Sequence, residues 1–168
     1  IMLSHVDVLI IGGGPAGAAL ALALRDSGRK VMVLEAQNDF CRPADPRALA
    51  LSYGARILLQ RLGVWDSITD ATPIETIHIS QRGGFGRALL TAGESGVDAL
   101  GYVVNYSALS TALHQARFHA TPLYLTGAVV SGVKSTPGFG MAAFEHGGQQ
   151  HEVTASLLVL ADGGRSLG

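Results

Sequence analysis

The clearest pattern of apolar and polar positions lies at the front of the chain. Val6 to Ile11 is apolar apart from Asp7. It enters Gly12-Gly13-Gly14-Pro15-Ala16-Gly17 and is followed by Ala18 to Leu24, apolar on every face. An unbroken apolar run fits a strand covered on both sides, so the pattern predicts strand, tight turn and buried helix. Pro15 suits the first helical position, Arg25 is expected in the last turn, and Gly28 can take the left-handed conformation that ends a helix. Val31 to Leu34 then reads as a second short strand ending at Glu35, which completes a strand-helix-strand unit of about 30 residues.

Asn38 to Pro46, with two prolines and two aspartates, predicts an irregular surface loop. Helical spacing resumes at Ala55, Leu58, Leu59 and Leu62 and is closed by Gly63. Ile74 to Ser80 alternates as a strand, and Ala88 to Thr91 is a short strand among glycine-rich loops. Tyr102 to Val104 leads into a helix with Leu109, Ala112, Leu113 and Ala116 on one face, for which Ser107 is the candidate N-cap. Leu123 to Val133, Met141 to Glu145 and His151 to Thr154 predict a small antiparallel meander. Leu157 to Leu160 reads as a strand buried on both faces, carrying Ala161-Asp162-Gly163-Gly164 at its C-terminal end. The fold class expected is α/β, a mostly parallel sheet with a small antiparallel meander, and 168 residues leave room for one domain over 1–168.

Composition narrows the function classes. Charged residues make up only 15% and hydrophobic residues 48%, which rules out disorder over most of the length. Twelve Lys and Arg against 13 Asp and Glu, without a basic run, leave no footprint for nucleic acid or an anionic membrane, and neither is expected from charge. So little charge leaves apolar surface, from which self-association is expected. The single cysteine, Cys41, and the lack of a leader pattern at the start point to a reducing, cytoplasmic compartment. Ala16 to Leu24 falls short of the roughly 20 residues of a membrane span. Ile1 ahead of Met2, and an end just after a strong apolar run, read as cut termini, so a portion of a longer chain is expected.

Gly12, Gly14 and Gly17 have the GxGxxG spacing: the first permits the tight turn, the second lets a diphosphate approach the backbone, the third lets helix and strand pack closely. With a strand before, a helix after, and Glu35 18 residues beyond the last glycine, the pattern predicts a dinucleotide site in which the helix mouth at Pro15, Ala16 and Gly17 faces the diphosphate. Glu35 there accepts ribose hydroxyls and disfavours a 2'-phosphate. Asp162-Gly163 lies where open α/β sheets place ligand groups, although an aspartate before two glycines also makes an ordinary turn. Arg47 is either a phosphate clamp or a solvated surface group. Gly93-Glu94-Ser95-Gly96 is one residue short of a nucleophile elbow, the six histidines lack ligand spacing, and no metal is expected.

Gly12-x-Gly14-x-x-Gly17, Glu35, Asp45-Pro46-Arg47-Ala48-Leu49-Ala50-Leu51, Leu62-Gly63-Val64-Trp65 and Asp162-Gly163-Gly164-Arg165-Ser166 together carry a resemblance. The chain resembles the front part of the FAD-dependent aromatic hydroxylases of ubiquinone biosynthesis, the 2-octaprenyl-6-methoxyphenol hydroxylase group within the class of p-hydroxybenzoate hydroxylase. The resemblance implies a Rossmann-like FAD-binding domain, with the diphosphate over Gly12 to Gly17, the adenosine ribose on Glu35, Arg47 and Asp162 nearer the rest of the cofactor, and the Val130 backbone against adenine. It also implies hydroxylation of a polyprenyl phenol with NAD(P)H and dioxygen, and peripheral membrane association of the full-length protein. An arginine that many relatives carry before the helix at Leu109 is Tyr106 here, and the substrate-covering sheet and second Gly-Asp motif of the family are missing. The isolated chain is therefore expected not to hydroxylate and to bind FAD weakly or not at all. The rival readings are an NAD-dependent dehydrogenase, which fits Glu35 but not the meander, and a non-catalytic nucleotide-binding or assembly module.

Overall fold

The computed structural model describes residues 5–38, 45–80, 83, 86–117 and 123–164. In chain order, the first elements are β1 (Val6–Ile11), α1 (Pro15–Ala23), β2 (Val31–Glu35), β3 (Ala48–Ser52), α2 (Tyr53–Arg61) and a single 3-10 turn at Trp65–Ser67. Then come β4 (Thr72–Ile74), β5 (Thr76–Ser80), β6 (Arg87–Thr91), α3 (Ala92–Ser95), β7 (Gly101–Asn105) and α4 (Tyr106–Arg117). The last are β8 (Leu123–Thr126), β9 (Val129–Ser135), β10 (Gly140–His146) and β11 (Gln149–Leu160). The described residues fall into two compact units, 5–38 with 113–164, and 45–112.

The first unit is built on a six-stranded sheet of order β8-β2-β1-β11-β10-β9. β8, β2, β1 and β11 run parallel, whereas β11, β10 and β9 are antiparallel. One strand serves both patterns: β11 pairs with β10 from Gln149 to Ala155 and with β1 from Ala155 to Leu160. The meander is thus the continuation of the parallel sheet, as the α/β expectation requires. Alternate side chains leave a strand on opposite faces, so one with both faces covered must be apolar throughout. Leu9, Ile11, Met32 and Leu34 pack on one side with Ala128, Val130, Ala142 and Phe144. Val8, Ile10, Val31 and Val33 pack on the other with Ala21, flanked by Leu20 and Leu24.

Several expectations are corrected in this unit. α1 buries only Gly17, Ala18, Ala21 and Leu22, while Ala16 and Ala23 are exposed, because a helix on a sheet covers it with one side. It ends at Ala23 with Leu24 as cap, so Arg25 lies past the last turn, where its Nε donates to Asp26 at 3.1 Å. Gly28 has φ +71°, in the turn that leads to β2. The stretch Leu123 to Val133 breaks at Gly127, and its first half pairs with β2 as a parallel edge strand, outside the meander. Leu157 and Leu160 are 56% and 52% exposed, so this part of β11 is not buried on both faces. The layer under α1 centres on β1 and β2 and covers β11 only at its flank.

The second unit holds a three-stranded antiparallel sheet, β3-β7-β4, and the two-stranded ribbon β5-β6. Ser52 caps α2 by accepting the Ala55 N–H at 3.1 Å, and Gly63 follows the helix with φ +73°. Leu59, Leu62, Val64, Ile68 and Val104 are buried, and Trp65 meets Tyr102 edge-on with centroids 4.9 Å apart. Ile74 to Ser80 is two strands in different sheets, split at Glu75, where the carbonyls of Ile74 and Glu75 accept the Leu100 and Ala92 N–H groups. Ala48 to Ser52 is a strand that the periodicity reading left unassigned. α4 begins at Tyr106, so Ser107 is its second residue and not its N-cap. Most of the loop expected at Asn38 to Pro46, Cys41 included, lies outside the described residues.

Candidate functional site

The turn after β1 is closed by contacts that only glycine permits. Gly12 donates to the Leu34 carbonyl at 2.8 Å and has φ +102°; a Cβ there would sit 2.5 Å from the Ala161 carbonyl oxygen and 2.7 Å from the Asp162 nitrogen. A Cβ on Gly17 would meet the Gly12 oxygen at 1.9 Å. Gly14, by contrast, has nothing within 4 Å of such an atom and stands at the N-cap of α1, where no side chain supplies a cap. Pro15 has no N–H, and Ala18 is the first residue to donate back along the helix, to Gly14 at 2.8 Å. The Ala16 and Gly17 N–H groups therefore lie at an uncapped mouth where the helix dipole favours an anion.

Glu35 ends β2 beside this mouth and is a buried charged residue, 8% exposed. Its Oε2 accepts the Gly13 N–H at 2.6 Å, and its Oε1 accepts the Gln37 N–H at 3.0 Å. Each oxygen keeps a further lone pair, so the held carboxylate can accept two more hydrogen bonds. Its carbonyl accepts the Ala128 N–H at 2.9 Å, which brings the start of β9 alongside. Val130, two residues on, turns its side chain into the core. On the other side of β1, the Ala161 N–H donates to Ile11 at 2.7 Å, and Asp162 Oδ1 accepts the Gly164 N–H at 2.9 Å across glycines with φ +73° and +76°. Gly12, Gly14, Pro15, Ala16, Gly17, Glu35 and Asp162 thus gather at the C-terminal edges of β1, β2 and β11, with Asp162 in an Asx-type turn. Arg165 and Ser166 lie outside the described residues.

Two side chains near this edge carry perturbed protonation. Burial pushes the Tyr124 phenol up to about 12; the Arg117 guanidinium opposes the shift and the Glu35 carboxylate adds to it. Arg117 lies over the Tyr124 ring at 4.9 Å, and its own pKa is lowered by burial.

Arg47 belongs to the second unit, immediately before β3. Its Nε and Nη2 donate to Asp45 Oδ1 at 2.9 Å and Oδ2 at 2.6 Å, and its guanidinium lies over the Tyr106 ring at 4.8 Å. The Asp45 hydrogen bond and charge raise the Arg47 pKa. It is an exposed arginine, as the surface alternative expected, but one paired with Asp45 and so not a bare cation.

Residues 5–167 match the family model described as FAD binding domain. The chain belongs to the FAD-binding domain family. Among curated relatives it is 31% identical to the ubiquinone hydroxylase UbiM of Neisseria meningitidis, over 96% of this chain and 36% of that protein. It is also 31% identical to the ubiquinone hydroxylase UbiL of Rhodospirillum rubrum, over 95% of this chain and 38% of that one. The chain thus spans less than half the length of these relatives. The crystal structure of p-nitrophenol 4-monooxygenase PnpA from Pseudomonas putida DLL-E4 shares the fold with TM-score 0.78 and 20% identity, covering 98% of this chain and 43% of that one.

The residues present fit the cofactor of the FAD-binding domain family. An uncapped helix mouth beside an open Gly14 suits a diphosphate, and a carboxylate with two spare acceptor sites suits a vicinal diol. What the motif reading missed are the groups that hold these residues: the Gly13 and Gln37 N–H donors, which carry no side-chain signal, and Asp45 and Tyr106 around Arg47. The Asp45 spacing was visible in the Asp-Pro-Arg segment, whereas Tyr106 is 59 positions away in sequence. Among the described residues no group of three or more His, Cys, Asp or Glu could hold a metal ion, and no helix is long and apolar enough to cross a membrane.

Proposed function

We propose that this chain is the FAD-binding portion of a flavin-dependent monooxygenase that hydroxylates a polyprenyl phenol in ubiquinone biosynthesis, with NAD(P)H as electron donor and dioxygen as co-substrate. The observation that carries the reading is the pairing of an uncapped α1 mouth with a buried carboxylate tied to the same turn, Glu35 Oε2 to the Gly13 N–H. The likeness to two ubiquinone hydroxylases across nearly the whole chain supports the substrate class. Residues 1–168 act as one cofactor-binding domain in this reading. The Ala16 and Gly17 amides and the α1 dipole bind the diphosphate of FAD, and Gly14 lets it approach. Glu35, already oriented by two backbone donors, accepts the ribose hydroxyls. Arg47 and Asp162 serve the remainder of the cofactor, and the Val130 backbone borders adenine. Bound FAD supplies the redox chemistry, being reduced by NAD(P)H and activating dioxygen for hydroxylation of the ring.

A cytoplasmic protein resting on the membrane surface is the arrangement that a prenylated substrate favours. Exposed Ile77, Ile79, Leu89 and Leu90 on β5 and β6 support self-association of this chain. Titration with FAD and with ADP, following the amide resonances of Gly13, Ala16, Gly17 and Gln37, tests the cofactor site. Both ligands are expected to shift all four, and shifts confined to other residues would overturn the reading. Oxidation of NAD(P)H by the parent protein, accelerated by a prenylated phenol, tests the activity.

A further inference from the structure

The surroundings of Arg47 hold it on three sides. The Tyr106 N–H donates to the Arg47 carbonyl at 2.9 Å, which fixes the start of α4 against the residue ahead of β3. Asp45 Oδ1 accepts both the Arg47 N–H, at 3.1 Å, and its Nε, while Oδ2 accepts Nη2. The Tyr106 ring lies against the guanidinium with its centroid at 4.8 Å. We infer that Tyr106 is a positioning residue for Arg47: its ring fixes the plane of the guanidinium while Asp45 fixes one edge, so that the Nη1 side is presented to the cofactor.

The inference rests on the proposal that Arg47 serves FAD. A free arginine loses much rotamer freedom on binding, and that loss weakens the complex. Here the ordering is completed when the chain folds. Asp45 offsets the long-range charge of Arg47, so the guanidinium acts as a short-range, directional donor. A planar, stacked fork is something that arginine provides and lysine does not.

The test begins without ligand. In the wild-type chain the Arg47 Nε–H resonance is expected to be ring-current shifted and slow to exchange. Tyr106→Ala should abolish the ring-current shift and Tyr106→Phe should keep it, with thermal melts confirming that all variants fold. Retention of the shift in Tyr106→Ala overturns the inference. A double-mutant cycle on the FAD dissociation constant follows, read by flavin fluorescence. Tyr106→Ala is expected to weaken binding about 2- to 5-fold in the wild-type background and not at all in Arg47→Ala. An equal loss in both backgrounds would show that Tyr106 acts independently of Arg47, against the inference. If Arg47→Ala leaves FAD binding unchanged while Glu35→Gln weakens it, the role proposed for Arg47 fails and this inference with it, but the Glu35 site stands.

Discussion

Each of the two units places an arginine over a tyrosine ring at nearly the same distance, Arg117 over Tyr124 at 4.9 Å and Arg47 over Tyr106 at 4.8 Å. Their surroundings differ. Arg117 and Tyr124 are half-buried beside β2, and burial drives the arginine pKa down and the tyrosine pKa up. Arg47 stands in solvent, and its pKa rises because Asp45 bonds to it. The same pair of residue types is thus governed by desolvation in one unit and by an acidic neighbour in the other. Two of the charged residues proposed for cofactor binding, Glu35 and Arg47, differ in how they are held. Glu35 is held by backbone N–H groups and is part of the fold, whereas Arg47 is held by side chains and can be altered without disturbing a sheet.

The largest effect is expected where the backbone-held site depends on glycine. Gly17→Ala would drive a Cβ into the Gly12 carbonyl, and the cost should lie at the upper end of about 1–3 kcal/mol, read from urea unfolding, with loss of FAD binding. Next comes the buried tyrosine. Its folded pKa of about 12 lies above the ordinary value of 10.0, so the unfolded chain ionises first as pH rises. The stability is complete below pH 10, falls between pH 10 and 12 by about 2–3 kcal/mol, and Tyr124→Phe should flatten that fall. Glu35→Gln comes third: it replaces an acceptor facing the Gly13 or Gln37 N–H by a donor. A cost of about 1–2 kcal/mol is expected, together with roughly tenfold weaker FAD binding. The smallest effect belongs to the Arg47–Asp45 pair, whose guanidinium is exposed: Asp45→Asn should leave the unfolding midpoint nearly unchanged and lower FAD affinity about 2-fold, more weakly as salt is raised. A stability loss in Asp45→Asn as large as that of Gly17→Ala would erase the contrast between the units.

The sequence made the first unit legible because its signals are local. The glycine spacing, the Pro15 start and the apolar runs of β1 and β2 each follow from steric or burial rules acting over a few residues. The β9-β10-β11 part of the meander was legible for the same reason, from glycine turns between short alternating runs, whereas Leu123 to Thr126 was assigned to it and pairs instead with β2. The unassigned strand Ala48–Ser52 shows the converse: its partner is β7, about 50 positions away, and its alternation of exposed and half-buried residues is easily taken for a loop. Leu157 to Leu160 show how a correct strand assignment carried a wrong burial. An apolar run records that cover is compatible with the strand, while the amount of cover depends on what packs on each face: Leu157 lies on the α1 side at the rim of that layer, and Leu160 on the opposite side with Ile11.

For the site, the sequence by itself determined which residues could face a dinucleotide, because a tight turn, an unblocked helix start and a carboxylate at a strand end are properties of residue type and spacing. Only the tertiary structure decided how they are held. The Gly13 and Gln37 amides on Glu35, the Tyr106 ring under Arg47 and the β11 strand shared by both sheet patterns all join groups whose pairing is fixed by the folded path. Backbone donors have no residue signature, and a ring 59 positions away in sequence becomes a neighbour only when β3 and β7 align.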